Sequence, residues 1–238
     1  MSKPEVKQVG QFTMLFDRDQ LDEVYTDWFE PSYWRARGRV SGAAPGRGSA
    51  VFIRPGDETW VLRHYHRGGF MSRFINDVYF WHGTASTRAF REWRLLADLY
   101  DSGLPVPRPI AARICRTGLT YTADILTVFI DATESVDAML HAGKSLGDQW
   151  QVIGSTLRRF HDRGVHHSDL NVRNILVNAA GRVFLVDFDK GRLRSPGAWR
   201  RGNLQRLQRS LRKTALETGV PYDETAWQRI EAGYSDGE

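Results

Sequence analysis

One run constrains this chain more than any other: Gly164-Val165-His166-His167-Ser168-Asp169-Leu170-Asn171-Val172-Arg173-Asn174-Ile175-Leu176-Val177, followed by Arg182-Val183-Phe184-Leu185-Val186-Asp187-Phe188-Asp189. Two β-branched stretches, Ile175 to Val177 and Val183 to Val186, flank the turn-type sequence Asn178-Ala179-Ala180-Gly181 and predict a hairpin. The first strand leaves a polar loop that holds Asp169 and Asn174, and the second ends on Asp187. A hairpin therefore gathers two carboxylates and an amide at one edge. Phosphoryl transfer from a metal-bound nucleotide needs such a set. One carboxylate accepts the proton of the attacking hydroxyl, while an amide oxygen and a second carboxylate suit Mg²⁺, a hard cation. The bland alternative is that Asp and Asn are here only as ordinary turn residues.

The spacing resembles the protein-kinase-like signatures H-x-D-x(4)-N and D-F-G, in that order and with a hairpin between them. Here they read His167-Ser168-Asp169, Asn174 and Asp187-Phe188-Asp189. The resemblance implies Asp169 as the catalytic carboxylate and Asn174 with Asp187 as metal ligands. His167 is expected to brace the loop by hydrogen bonding. His161, His166 and His167 lie close in sequence, but no cysteine is nearby and a zinc site is the weaker reading.

Upstream, Val40 to Ile53 predicts a glycine-rich turn leading into a strand, with Gly46, Arg47 and Gly48 at its centre. Small residues let backbone N–H groups approach phosphates. The motif falls short of G-x-G-x-x-G-x-V, so a nucleotide loop and an ordinary hairpin turn both stand. Trp60 to Tyr65 is the next strand. A kinase-like fold carries a phosphate-binding lysine there, but no lysine occurs between Lys7 and Lys144. Arg63 is the expected stand-in, since a guanidinium stays charged and binds two phosphate oxygens at once, with an ordinary surface strand residue as the alternative. A helix from about Thr87 to Ser102 carries Phe90, Trp93, Leu96, Ala97 and Tyr100 at helical spacing, with Gly103, Pro105 and Pro107 beyond it. It also carries Glu92, the expected partner of Arg63, with an exposed helix glutamate as the alternative.

The remaining elements follow in order. Residues 21–34 predict a short helix that breaks at Pro31. Val106 to Ala112 and Leu119 to Ile130 predict two strands joined by a turn at Arg116-Thr117-Gly118. A short helix spans Ser135 to Leu140 and a longer one Asp148 to Arg163, its buried stripe read as Gln149, Val152, Ile153, Thr156, Leu157 and Phe160. Beyond Asp189, Leu204, Leu207, Leu211 and Ala215 share a helical face. The expected fold is α+β and bilobal. Residues 1–130 form an antiparallel sheet lobe with one main helix and an N-terminal extension, and residues 131–238 form a mostly helical catalytic lobe.

Size and composition agree with a soluble globular protein. The 238 residues suffice for a sizeable core, and 41% hydrophobic with 26% charged residues is ordinary. The lone Cys115 excludes an internal disulfide, and no signal peptide or long apolar span is visible. A net charge of +5 favours an anionic partner: nucleotide, anionic lipid or nucleic acid. No acidic residue separates Asp189 from Glu217, and residues 66–87 mix glycines, aromatics and arginines. Contact with an anionic membrane surface and simple packing are both open for these two stretches. No nucleic-acid-binding motif is present. Only about fifteen residues separate Asp187 from the next helix and no A-P-E motif follows, so a protein substrate is not expected.

From about Val40 onward the chain resembles the small bacterial lipopolysaccharide kinases of the protein-kinase-like superfamily. The residues that carry this are Asp27-Trp28-Phe29-Glu30-Pro31 with Trp34, Gly46-Arg47-Gly48, Leu62-Arg63-His64-Tyr65 with Arg67-Gly68-Gly69, and Glu92-Trp93. The run around Asp169, Val186 to Gly191, and Asn203-Leu204 with Leu207 and Ser210 complete the pattern. The resemblance implies ATP and Mg²⁺ as cofactors. It implies phosphorylation of the 4-hydroxyl of a 3-deoxy-D-manno-octulosonic acid (Kdo) sugar on a Kdo-bearing lipid A precursor, at the cytoplasmic face of the bacterial inner membrane. A soluble-sugar or aminoglycoside-type kinase and a non-catalytic nucleotide-binding module are the alternatives.

Overall fold

The computed structural model describes residues 1–43, 50–66, 77–131, 133–219 and 222–236. Contacts divide the chain into two compact units, Met1–Ser102 with Pro107–Phe129, and Gly103–Val106 with Ile130–Glu238. The fold is α+β.

The first unit is built on an antiparallel sheet. Its elements are β1 (Pro4–Val9), β2 (Phe12–Asp17), α1 (Pro31–Arg35), β3 (Val40–Ala43), β4 (Val51–Ile53), β5 (Trp60–His64), β6 (Tyr79–Phe80), α2 (Arg88–Asp101), β7 (Pro109–Thr117) and β8 (Thr120–Val128). Among the described residues the sheet has eight strands in the order β1-β2-β7-β8-β5-β4-β3, with β6 added to β8. The β1–β2 hairpin has no counterpart in the sequence reading. Its first strand is almost wholly exposed, so it lacks the apolar alternation that would have marked it.

Alternation along the strands sorts the two faces of this sheet. Leu62, Ile53, Trp60 and Leu126 join Met14 and Phe16 in one cluster, which the N-terminal segment covers with Val24, Phe29 and Trp34. The helix expected over 21–34 is instead a 3-10 turn at Thr26–Phe29 followed by α1, which begins at Pro31. Proline starts the helix rather than breaking it, because its fixed φ and missing N–H cost nothing in the first turn. α2 buries Phe90, Trp93, Leu96 and Ala97, as its spacing predicts, while Tyr100 is exposed.

The second unit contains β9 (Thr133–Ser135), α3 (Val136–His141), α4 (Gln149–Asp162), β10 (Val165–His166), β11 (Ile175–Asn178), β12 (Val183–Leu185), β13 (Arg192–Leu193), α5 (Trp199–Thr218) and α6 (Glu224–Ser235). β11 pairs with β12 through Ile175↔Leu185, Leu176↔Phe184 and Val177↔Val183, the hairpin expected from the sequence. β9 adds a third strand on the far side of β11. α4 buries Trp150, Ile153, Gly154, Thr156, Leu157, Phe160 and His161, while Val152 faces solvent. The buried stripe of α5 is Asn203, Leu207, Leu211 and Thr214, half of it polar. Leu204 and Ala215 are only partly buried. Among the described residues no helix is long and apolar enough to cross a membrane.

Candidate active site

The hairpin sets the geometry in the second unit. Past the β11–β12 ladder, the Val186 N–H donates to the Asn174 carbonyl at 3.0 Å, so pairing runs to the residue before Asp187. Asp187 itself has φ 62°, in the left-handed region, and the chain turns sharply there. The next side chain, Phe188, is fully buried and stacks on Phe160 of α4 with ring centroids 5.9 Å apart. Burying Phe188 anchors the segment that presents Asp187.

His167 ties the Asp169 loop to this strand end. The Asp169 N–H donates to His167 Nδ1 at 3.2 Å, so the ring proton sits on Nε2 and is donated to the Val186 carbonyl at 3.0 Å. His167 is buried, and burial pushes its pKa below the ordinary imidazole value, against the hydrogen bond to Val186 and the nearby Asp187 and Asp169 carboxylates. The neutral tautomer that the two hydrogen bonds need is the one the environment favours. Its backbone is held as firmly. The His167 N–H donates to Asn203 Oδ1 at 3.2 Å, and Asn203 Nδ2 donates to the His167 carbonyl at 2.8 Å. Ser168 Oγ donates to the Asp189 carbonyl.

Asp169 lies on the exposed side of this scaffold. Arg206 of α5 reaches its Oδ1 at 2.8 Å, and Asn171 Nδ2 donates to its Oδ2 at 3.1 Å. Asn174 Nδ2 donates to the Asp169 carbonyl at 2.9 Å. That bond uses the amide nitrogen, so Oδ1 is the atom Asn174 could offer a cation. A donor set built from Asn174 and Asp187 would therefore be all oxygen, as Mg²⁺ prefers. Structure thus brings His167, Asp169, Asn174 and the strand end before Asp187 together in one unit.

A second group lies in the first unit. Arg63 of β5 forms an ion pair with Glu92 of α2, and the Tyr65 hydroxyl donates to the other Glu92 oxygen. Glu92 is buried, and the Arg63 guanidinium lies 5.1 Å from the Tyr65 ring centroid. Strand position 63 and helix position 92 are thus joined by an ion pair with arginine as the cation. Gly46, Arg47 and Gly48 lie outside the described residues.

Sequence reasoning gave no role to Arg206, Asn203 or Tyr65. Arg206 was one arginine among many, and only the packing of α5 aims it at Asp169. Asn203 carried a usable signal: it shares a four-residue spacing with Leu207 and Leu211, and a polar residue on an apolar stripe must find a buried partner. His161, His166 and His167 form no metal cluster among the described residues. The His161 Nδ1 instead shares a 2.7 Å hydrogen bond with the Tyr234 hydroxyl.

An antiparallel sheet with an Arg–Glu pair to its helix, and a hairpin flanked by an Asp, an Asn and a second Asp, define a phosphotransferase of the protein-kinase-like class. The comparisons with known proteins narrow this. The model of the lipopolysaccharide kinase (Kdo/WaaP) family matches residues 31–234, and the chain belongs to that family. It is similar to a 3-deoxy-D-manno-octulosonic acid kinase of Stenotrophomonas maltophilia strain R551-3, with 43% identity over 94% of this chain and 90% of the relative. Similar relatives of the same description occur in Vibrio vulnificus strain YJ016 (35% identity, 97% of this chain and 98% of the relative) and Actinobacillus succinogenes strain 130Z (38% identity, 98% and 99%). Among solved structures, WbdD aligns with a TM-score of 0.45 and 14% identity over 79% of this chain and 43% of that chain, a likeness too loose to argue from.

Proposed function

We propose that this protein transfers the γ-phosphoryl group of ATP to the 4-hydroxyl of a Kdo sugar on the lipid A precursor, in lipopolysaccharide core biosynthesis. The observation that carries the reading is the joint occurrence of family membership over residues 31–234 and an intact Asp169–Asn174–Asp187 set flanking one hairpin.

In this mechanism Asp169 orients the sugar hydroxyl and accepts its proton as the oxygen attacks phosphorus. Arg206 and Asn171 each hold one oxygen of that carboxylate, which fixes its plane. His167 keeps the loop backbone in register with the strand end. Asn174 Oδ1 and the Asp187 carboxylate would hold Mg²⁺, which when bound offsets the negative charge of the phosphates. Arg63, oriented by Glu92 and Tyr65, binds phosphate oxygens of the nucleotide. Gly46, Arg47 and Gly48 are assigned to the same nucleotide. Positioning and charge stabilisation supply most of the rate enhancement.

The two compact units are read as the lobes of one kinase-like domain, divided near residue 130. The protein is placed at the cytoplasmic face of the inner membrane as a peripheral protein. What supports this is the exposed cationic face of α5, with Arg201, Arg209, Arg212 and Lys213, in a stretch free of acidic residues from Lys190 to Leu216. Neither nucleic acid nor a protein substrate belongs to the reading.

The test is product analysis. Purified protein is incubated with ATP, Mg²⁺ and Kdo-bearing lipid A precursor. The product should gain the mass of one phosphate, and phosphorus–proton correlation should place it on the sugar 4-hydroxyl. Phosphate on another hydroxyl would correct the regiochemistry. Turnover only with a soluble sugar or aminoglycoside would replace the acceptor class.

A further inference from the structure

The sheet of the first unit carries a second polar cluster on the opposite face from Arg63. Successive residues of a strand point to opposite faces, so His64 faces away from the Arg63–Glu92 pair. Directly across the ladder His64 is in register with Asp124 of β8, and Asp124 with Arg113 of β7. The three side chains form one row. His64 Nδ1 lies 2.7 Å from Asp124 Oδ1, and Arg113 donates to Asp124 Oδ2 through Nε at 3.0 Å and Nη2 at 2.9 Å. Arg113 also donates to Glu30 Oε1 at 2.7 Å. Asp124 is only 3% exposed, so it is a fixed carboxylate behind the imidazole.

With Nδ1 of His64 engaged by Asp124, Nε2 is the atom this ring offers outward. His66 packs edge-on against it, with ring centroids 5.0 Å apart. His66 Nδ1 lies 2.6 Å from Asp77 Oδ2. One ligating atom from each of His64, His66 and Asp77 falls within 4.8 Å of the others. Two imidazoles and a carboxylate are a donor set for zinc-type ions, and a carboxylate behind a ligating imidazole is the usual outer support of such sites. Mg²⁺ prefers an all-oxygen set, so the chemistry separates this cluster from Asn174 and Asp187.

We propose that His64, His66 and Asp77 bind a divalent transition-metal ion of the zinc type, with Asp124 as the outer-sphere support of His64. All three side chains are about one-third exposed, so the ion enters from solvent. Three protein ligands leave a fourth position for water. The bound ion fastens the end of β5 to Asp77, eleven residues beyond His66. The proposal is independent of the phosphotransfer reading.

The experiment uses tag-free full-length protein, stripped with chelator and desalted. Zn²⁺ is titrated in competition with a chromogenic chelator, and Co²⁺ is added separately for its absorption spectrum. The expected result is about one equivalent of Zn²⁺ and a four-coordinate Co²⁺ spectrum. Both should be lost in His66→Ala and in Asp77→Asn, with circular dichroism unchanged because both side chains are partly exposed. Asp124→Asn should weaken Zn²⁺ binding roughly 10- to 100-fold. Melting temperature should rise with Zn²⁺ in the wild type and not in His66→Ala. Failure of the wild-type protein to compete with the chelator would overturn the proposal, and so would equal binding by wild type, His66→Ala and Asp77→Asn.

Discussion

Arg206 Nη1 sits 2.8 Å from Asp169 Oδ1, a contact between α5 and the loop before β11. Both partners are about half exposed, at 47% and 56%, so the pair adds only about 0–1 kcal/mol to stability. In the proposed mechanism its effect belongs to the reaction, because the guanidinium would fix the carboxylate that meets the acceptor hydroxyl. Arg206→Ala should lower kcat by about 10- to 100-fold through misplacement of Asp169. KM for ATP and the melting temperature should stay near wild type. Steady-state kinetics beside a thermal melt checks this; an unchanged kcat would leave the contact without a catalytic role.

Arg63 and Glu92 make a different kind of pair, because Glu92 is buried. Arg63→Ala removes the cation from a buried carboxylate and should cost about 3 kcal/mol of stability. If Arg63 also binds phosphate, ATP affinity falls roughly 10- to 100-fold, the value of one or two charge-assisted hydrogen bonds. Arg63→Lys separates the two effects. It should keep most of the stability while weakening nucleotide binding, since an ammonium cannot reach two oxygens in a plane. Urea unfolding and nucleotide titration of both variants provide the comparison.

Helices α4 and α6 meet at two glycines. A Cβ on Gly154 would lie 2.0 Å from the Ile230 carbonyl oxygen, and one on Gly233 would lie 2.0 Å from that of Gln151. Both obstacles are backbone, so neither helix can yield locally. Gly154→Ala should therefore destabilise the fold by about 3 kcal/mol despite the higher helix propensity of alanine. A shift of the urea midpoint measures it, and a neutral or stabilising result would mean that the helices pack less closely.

The buried histidines give a pH dependence with a defined sign. Burial holds His161 down at about 4, against a hydrogen-bonding contribution from Asn203, below the ordinary 6.5. The unfolded chain therefore takes up this proton first as pH falls. The contribution to stability is complete above about pH 6.5 and is lost toward pH 4, on the order of 3 kcal/mol in all. His167, shifted in the same direction by burial, adds with the same sign. His161→Gln removes one titrating group, so its stability should fall less steeply than wild type between pH 6.5 and 4. Parallel urea titrations across that range decide it, and identical slopes would contradict the assignment.

Particular elements show why some of this was legible in the sequence. The β11–β12 hairpin was readable because two β-branched runs flank a turn, and local pairing needs no distant partner. α2 was readable because its apolar positions repeat at helical spacing. Residues 1–20 were not, since β1 is exposed on both faces and β2 gains its meaning only by pairing with β7. α6 drew no reading because its main contacts are with α4, which no local pattern announces. In the candidate site, motif spacing named His167, Asp169, Asn174 and Asp187. The residues that hold them, Asn203 and Arg206, come from a helix thirty-odd positions on. Tertiary packing alone selects Arg206 from a basic helix, whereas Asn203 is marked by its place on the apolar stripe.

The most direct test of the central claim is transfer of labelled γ-phosphate from ATP to Kdo-bearing lipid A precursor, with Asp169→Ala measured beside the wild type. Label should appear on the lipid with wild type and fall at least about 100-fold in the variant, while ATP binding stays intact in both. Full transfer by Asp169→Ala would contradict the assignment of the base, and no transfer to the lipid by the wild-type protein would contradict the proposed acceptor.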